Sequence, residues 1–270
     1  MNNVSRTLYI PLYGKAQVSK KGLFLDDKMA EEIWQAQGFP LKGKSKSKWL
    51  AYYMGIRSAV FDEWTREQLG KRTESVVLHV GCGLDSRILR VGASDTIWYD
   101  VDFADVVAER KKYFAETCNY KMLAGDVRTC DFLASIPHHK TAVVVMEGVS
   151  MYLTTDQMQM FANNLCNHFE EVLLLADCYT VFGAKMSNHK NPINDVGVTE
   201  VFGIDHPCAY ETATMAFAQE HEMTPQKYID QLKGWEKFVF SKVFAGKFSH
   251  KLYRLYEYRK QQNTTAKTNG

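Results

Sequence analysis

The stretch Ser75-Val76-Val77-Leu78-His79-Val80-Gly81-Cys82-Gly83-Leu84-Asp85-Ser86-Arg87 decides the fold. Its first six residues are mostly β-branched and apolar, long enough for a buried parallel strand and too short for a globular helix. Gly81 and Gly83 then break the run. Two glycines directly after such a strand let the backbone turn sharply and approach a ligand, because a Cβ at either place would take that space. A second run, Thr96-Ile97-Trp98-Tyr99-Asp100-Val101-Asp102, delivers carboxylates 19 residues beyond Gly83. Nucleotide-binding units place an acid at about that spacing, on a ribose hydroxyl. Asp102 is the first choice for that contact and Asp100, at the same strand end, the second.

The glycine that is absent bears on which nucleotide is bound. A dinucleotide turn reads G-x-G-x-x-G, and Ser86 occupies the third glycine position. Asp85 beside the turn would repel a pyrophosphate and suits a cationic cofactor such as S-adenosyl-L-methionine. The methyl donor is therefore favoured over NAD, although G-x-G alone is a weak signal. A turn of this shape that binds nothing stays open. Valine at Gly81 is expected to abolish cofactor binding by filling space that the methionine portion needs.

Residues 77–87, followed by Trp98-Tyr99-Asp100-Val101-Asp102-Phe103, resemble the signature of the leucine carboxyl methyltransferase family, which includes bacterial O-methyltransferases of the polyketide-biosynthesis type. The similarity extends from about Thr7 onward and is weakest over residues 180–203. It implies an α/β fold: a doubly wound, mostly parallel Rossmann-like methyltransferase sheet with an N-terminal helical lid and an insertion after strand five. One domain would comprise the lid (1–70), a cofactor-binding core (75–178), a substrate-facing insertion (179–215), C-terminal helices with a final strand (216–260) and a tail (261–270).

Composition agrees with one domain. The 270 residues are 46% hydrophobic and 24% charged, enough for one large core. A formal charge of +2 is too small to imply nucleic acid, and the run Lys42 to Lys48 reads as a solvated loop. Cys82, Cys118, Cys130, Cys166, Cys178 and Cys208 form no C-x-x-C pair and read as reduced, packed thiols. No apolar run approaches a membrane span. The expectation is a soluble cytoplasmic protein acting on a small-molecule acceptor, with no nucleic-acid or membrane partner.

Ahead of the first strand, residues 26–37 and a longer segment from Ser47 to Leu69 have helical spacing and cannot bury themselves alone, so they are expected to pack on the main domain as a lid. Arg57 in the second helix either pairs with an acid on the helix surface or, as the resemblance implies, faces cofactor and substrate carboxylates. A guanidinium suits that task because it donates two parallel hydrogen bonds. The stretch Thr7 to Lys15 is also familial, but no lysine in it can be assigned to the cofactor.

Beyond Asp102, residues 103–118 have helical spacing and Tyr120 to Ala124 is a third strand. Asp126 at its end is either a turn residue or an acceptor for the adenine amino group, the role the resemblance gives it with Val127. Thr141 to Met146 is the plainest strand, followed by Glu147-Gly148-Val149-Ser150-Met151-Tyr152-Leu153, similar to the family's Glu-Gly-x-x-x-Tyr-Leu block. The resemblance puts Glu147 and Gly148 beside the cofactor and Tyr152 toward the transferred methyl; otherwise Tyr152 is a core aromatic. It also assigns cofactor contacts to Gly81, Cys82, Gly83, Asp85, Arg87, Asp102 and Phe103, and catalysis to Arg57 and Tyr152. Thr154 to Gln157 is a capping box. Strand five is Val172 to Asp177, residues 178–207 lose periodicity, a helix is expected around 210–219, Thr224-Pro225 opens another, and Leu252 to Tyr258 alternates as a final strand. The eight histidines contain no zinc spacing.

A carboxylate acceptor would need only orientation, for which Arg57 and Tyr152 suffice. A phenol, with a pKa of about 10, would need a base, and His189, His206 or a carboxylate are the candidates. A protein C-terminal carboxylate is an alternative acceptor, and an NAD(P)-dependent oxidoreductase or a non-catalytic binding module are alternatives of other classes.

Overall fold

Strand β1 (Ser75–Val80) lies inside the sheet, parallel to β2 (Ile97–Asp102) on one side and to β4 (Thr141–Met146) on the other. The computed structural model describes residues 5–37, 41, 43–92, 95–190 and 200–261. With β3 (Tyr120–Ala124), β5 (Glu171–Tyr179), β6 (Met215–His221) and β7 (Tyr253–Lys260), the seven strands run in the order β3-β2-β1-β4-β5-β7-β6. The first five are parallel, and β7 is antiparallel between β5 and β6. The order reverses between β1 and β4, which opens a crevice at their carboxyl ends.

Strand periodicity splits the core into two layers. Val77, Val143, Leu173 and Leu175 face one side, where Ile56, Phe61 and Trp64 of helix α3 (Lys48–Gly70) meet them. Val76, Leu78, Val144 and Leu174 face the other, against Phe161 and Leu165 of α6 (Thr155–His168). Helix α3 is thus one of the sheet's covering layers as well as a cover for the crevice, and Trp64 Nε1 donates to buried Glu257 of β7 at 2.9 Å. Helix α2 (Lys28–Gln37) packs on α1 (Tyr9–Lys20), and α1 in turn packs on α3. At their crossing a Cβ on Gly14 would lie 2.9 Å from Met54 Cβ, and one on Gly55 would lie 2.7 Å from Val18 Cγ2. Small residues on both partners set that close approach.

The capping box forms as the sequence suggests: Gln157 N donates to Thr154 Oγ1 at 3.3 Å, and Thr154 N donates to Gln157 Oε1 at 2.9 Å. Several expectations need correction. The helix expected around 210–219 is a 3-10 turn (Pro207–Tyr210) followed by strand β6, an edge strand whose side chains pass from buried through half-buried to exposed with no alternation to read. The segment 103–118 is helical only as α5 (Ala104–Arg110). Cys118 and Cys208 are exposed rather than packed. After β5 comes α7 (Val181–Lys190), and the insertion's residues 191–199, like the tail beyond 261 and Lys42, lie outside the described residues. The chain then passes through α8 (Gln226–Ile229), α9 (Gly234–Val239) and α10 (Lys247–His250) to β7. Among the described residues no helix is long and apolar enough to cross a membrane.

Candidate active site

A cavity of about 730 Å³ fills the crevice, within the range of small-molecule sites. Its polar end is built by the turn after β1. Gly81 and Gly83 hold φ of +65° and +52°, which L side chains adopt only with strain. A Cβ on Gly81 would stand 2.1 Å from Val149 Cγ2. The space there belongs to Val149, not to a ligand, so the expected reason for intolerance at Gly81 is replaced by an internal clash.

The two aspartates of β2 separate cleanly. Asp102 lines the cavity, with its oxygens accepting from Gly83 N and Phe103 N, each at 2.8 Å. No cation forms an ion pair with it among the described residues, and burial lifts its carboxyl to about 6 against those two backbone bonds. Asp100 is buried behind the wall, bound by Arg110 at 2.5 Å, His79 at 3.0 Å, Trp98 at 2.9 Å and Tyr120 at 2.6 Å. Burial opposes its ionisation, but Arg110 and these hydrogen bonds prevail and hold it down to about 2.

Beneath the turn lies a buried lattice of four cations and five carboxylates. Asp85 meets Lys15 at 2.9 Å, Arg90 at 2.6 Å and Arg87 at 3.2 Å. Arg90 also holds Asp62 and Asp27, each at 2.6 Å. Arg87 joins Asp62 at 2.8 Å and also pairs with Glu147. Arg57 joins Glu147 at 3.0 Å and Asp177 at 2.9 Å. Burial works against charge throughout, yet the neighbouring guanidiniums hold Asp85 well below the usual carboxylate range and Glu147 at about 2. Asp177 differs: burial outweighs Arg57 and raises its carboxyl.

Three expectations change here. Asp85 is not a lone acid facing a cation, since Lys15, Arg87 and Arg90 neutralise it; what remains is one carboxylate in excess across the lattice. Arg87 does not reach the cavity: its guanidinium is fully buried and positions Glu147 and Asp85 from behind. Arg57 is no surface residue, being 5% exposed, but its Nε and Nη1 are committed to Glu147, Asp177 and the Tyr253 hydroxyl, with Nη2 over Gly148. Lys15, which ends the familial stretch Thr7 to Lys15 but was given no role there, lines the cavity.

Cys82, Phe103, Val127, Glu147 and Gly148 all line the cavity, as does Asp126, whose carboxylate is held by Arg128 at 2.6 Å and lowered chiefly by that hydrogen bond. The far end is aromatic and apolar: Trp49, Tyr53, Met54, Tyr152, Tyr179 and Phe244. Burial raises the Tyr152 hydroxyl, partly offset by a bond with Thr7. Trp49 and Phe244 stack at 5.3 Å. The sequence reading missed Tyr53, Tyr179, Val243, Phe244 and Tyr253 because only tertiary packing brings them here. Of the proposed bases, His206 is exposed and not on the cavity wall, and the side chain of His189 lies outside the described residues. Among the described residues no group of three His, Cys, Asp or Glu could hold a metal.

The fold resembles that of the magnesium protoporphyrin IX methyltransferase ChlM from Synechocystis PCC 6803, at a TM-score of 0.51 and 10% identity over 87% of this chain and 95% of that one. The sequence is 26% identical over 261 residues to the tetracenomycin polyketide synthesis O-methyltransferase TcmP of Streptomyces glaucescens, covering 94% of this chain and 97% of that protein. It is 23% identical over 188 residues to the S-adenosyl-L-methionine-dependent methyltransferase dpfgK of Gibberella zeae, covering 63% of each. The model of the leucine carboxyl methyltransferase family matches residues 12–166, more than half of the chain, across the glycine turn, Asp102, Asp126 and Glu147. With the turn, the acid-lined crevice and the buried arginine lattice in place, the chain belongs to the leucine carboxyl methyltransferase family.

Proposed function

We propose that the protein is an S-adenosyl-L-methionine-dependent O-methyltransferase whose acceptor is a small, largely apolar, hydroxylated molecule of polyketide type. One observation carries the acceptor assignment: the cavity joins an acid-lined polar end to an aromatic end in which every cation is already ion-paired. The cofactor fits the polar end. Asp102, a half-buried carboxylate without an ion-pair partner among the described residues, suits ribose hydroxyls, Asp126 suits an amino group, and the lattice's excess negative charge suits a cationic donor. When bound, that donor supplies an electrophilic methyl group. Tyr152 and Arg57, on the wall between the two ends, orient the reacting partners, while the aromatic lining excludes water.

A carboxylate acceptor would need a cation with donors to spare, and Arg57 has spent Nε and Nη1 on Glu147 and Asp177. A hydroxyl acceptor needs somewhere for its proton. Tyr253 lines the cavity and donates to Asp177 at 2.6 Å, a lattice carboxylate whose proton affinity burial raises. The test is transfer of isotopically labelled methyl groups to polycyclic phenols and to aromatic carboxylates. Base-stable label in phenol ethers supports the assignment. Base-labile label in carboxyl esters, or in protein C-termini, would replace it.

Donor binding should depend on pH through Asp102. A carboxyl whose folded value is raised stabilises the fold below its unfolded value of about 4 and loses that contribution as pH rises through about 6. Hydroxyl donors prefer the ionised form. Calorimetric affinity for S-adenosylhomocysteine should therefore strengthen as pH rises through about 6. In Asp102→Asn that step should vanish, with a loss of about 1–3 kcal/mol. Asp100→Asn should keep the step and cost stability instead. A step that survives in Asp102→Asn assigns it to another group.

A further inference from the structure

Eight large apolar side chains are exposed among the described residues, and only Leu89 and Met160 stand singly. The other six fall on two segments: Val181, Phe182 and Met186 on α7, and Trp235, Phe238 and Val243 on and just after α9. Scattered exposed side chains need no explanation, but a cluster does. Trp235 is 70% exposed and stacks on Phe238 at 5.8 Å. Both segments adjoin the aromatic end of the cavity. Helix α7 starts two residues after cavity-lining Tyr179, and Thr180 ties its start to the turn between α10 and β7, through Lys251 O at 2.5 Å and Leu252 O at 3.1 Å. Val243 is half exposed while lining the cavity, so it stands at the mouth.

The charge around this rim is one-sided. Lys185, Lys242, Lys247 and Lys251 are exposed. The nearby acids are engaged elsewhere: Asp230 with Lys237 at 2.9 Å, Glu236 with Lys48 at 3.0 Å and Tyr52 at 2.6 Å, and Glu220 with Arg254 at 2.7 Å. Asp205 accepts from Val181 N at 3.0 Å, at the start of α7. Exposed tryptophan and phenylalanine beside lysines that have no ion-pair partner among the described residues are what an anionic lipid surface complements, the rings entering the headgroup layer and the ammonium groups staying at the phosphates. A second copy of the chain is a poorer partner, because a two-fold interface sets the same patch against itself and would oppose lysine to lysine.

We infer that this rim seats the protein on an anionic bilayer surface, with Trp235 and Phe238 inserted and the mouth at Val243 turned toward the lipid. An apolar acceptor dissolved in the bilayer would then enter the aromatic end directly. The sequence expectation of no membrane partner rested on the lack of a span, which surface docking does not need. The inference is independent of the acceptor chemistry, since it concerns only the rim.

The experiment is co-sedimentation of the full chain with phosphatidylcholine vesicles, with and without a third of phosphatidylserine. Phosphatidylserine should tighten binding by roughly tenfold or more, and added salt should reverse the gain. Trp235→Ser/Phe238→Ser should abolish binding, and Lys242→Ser/Lys247→Ser should remove the preference for phosphatidylserine; all four positions are exposed, so thermal melts should match the parent. Failure of the parent to sediment with either vesicle, or unchanged binding in either double variant, overturns the inference. So does a stable dimer, seen by light scattering, that Trp235→Ser/Phe238→Ser dissociates.

Discussion

Gly81→Ala should lose affinity for S-adenosylhomocysteine by more than tenfold and unfold more easily by about 2–4 kcal/mol, the sum expected of an overpacked contact and a left-handed non-glycine residue. The Cβ would enter at 2.1 Å from Val149 Cγ2, so even the smallest side chain clashes. Relief cannot come from the backbone, because Gly81 N is bound to Val101 O at 2.7 Å and Gly83 N to Asp102 at 2.8 Å. The compensating change identifies the cause. Gly81→Ala/Val149→Ala should recover most of the stability, leaving only the strain of φ +65°. If the double variant is no better than the single one, the clash is not what excludes a side chain at Gly81. Calorimetric titration and thermal melting of the three proteins decide it.

Removing Arg57 should be equally damaging for a different reason. Arg57→Ala leaves Asp177 without a cation and Glu147 with Arg87 alone, and breaking a buried ion pair from one side costs about 3–5 kcal/mol. Arg57→Lys should suffer most of that loss, since one ammonium cannot replace a fork that holds Glu147 through Nε and Asp177 through Nη1. The pH dependence follows from linkage. Without the guanidinium both carboxyls hold protons more tightly in the folded state, so the variants should recover stability as pH falls and lose it as pH rises through their raised values. Urea unfolding across pH tests this. A uniform deficit at all pH values, or a cost below about 1 kcal/mol as for a surface pair, would remove Arg57 from the lattice.

What the sequence makes legible is local. The Ser75 to Val80 strand, the glycine turn, the Thr141 to Met146 strand and the Thr154 cap are each fixed by neighbours within a few residues, and each is found where expected. Helix α1 went unread because Pro11 and Gly14 disguise its pattern. Pro11 is harmless in the first turn, where its missing N–H has no intrahelical partner to lose, and Gly14 serves contact with α3. Strand β6 resembled a helix because the burial of this edge strand falls off along its length instead of alternating. Arg87 was misplaced because adjacency to the turn says nothing about direction, and the first turn of α4 (Arg87–Val91) aims it inward toward Asp62 and Glu147. Apart from Tyr152, the aromatic end of the cavity was invisible for the plainest reason: Trp49, Tyr179 and Phe244 are far apart in the chain.

The insertion of β7 between β5 and β6 orders the events of synthesis. Leu173, Leu174 and Leu175 of β5 present an open strand edge until residues 253–260 exist to pair with it. At ~5–20 residues per second the 73 positions between β5 and β7 take roughly 4–15 s on the ribosome. An apolar parallel edge left bare that long is a template for association with other nascent chains. The same late strand carries Tyr253, which bridges Arg57 and Asp177, and Glu257, which receives Trp64. The glycine turn can therefore take shape early, whereas the arginine clamp is completed only when β7 docks, and a ribosome stalled before Tyr253 would hold a half-built site beside an adhesive edge.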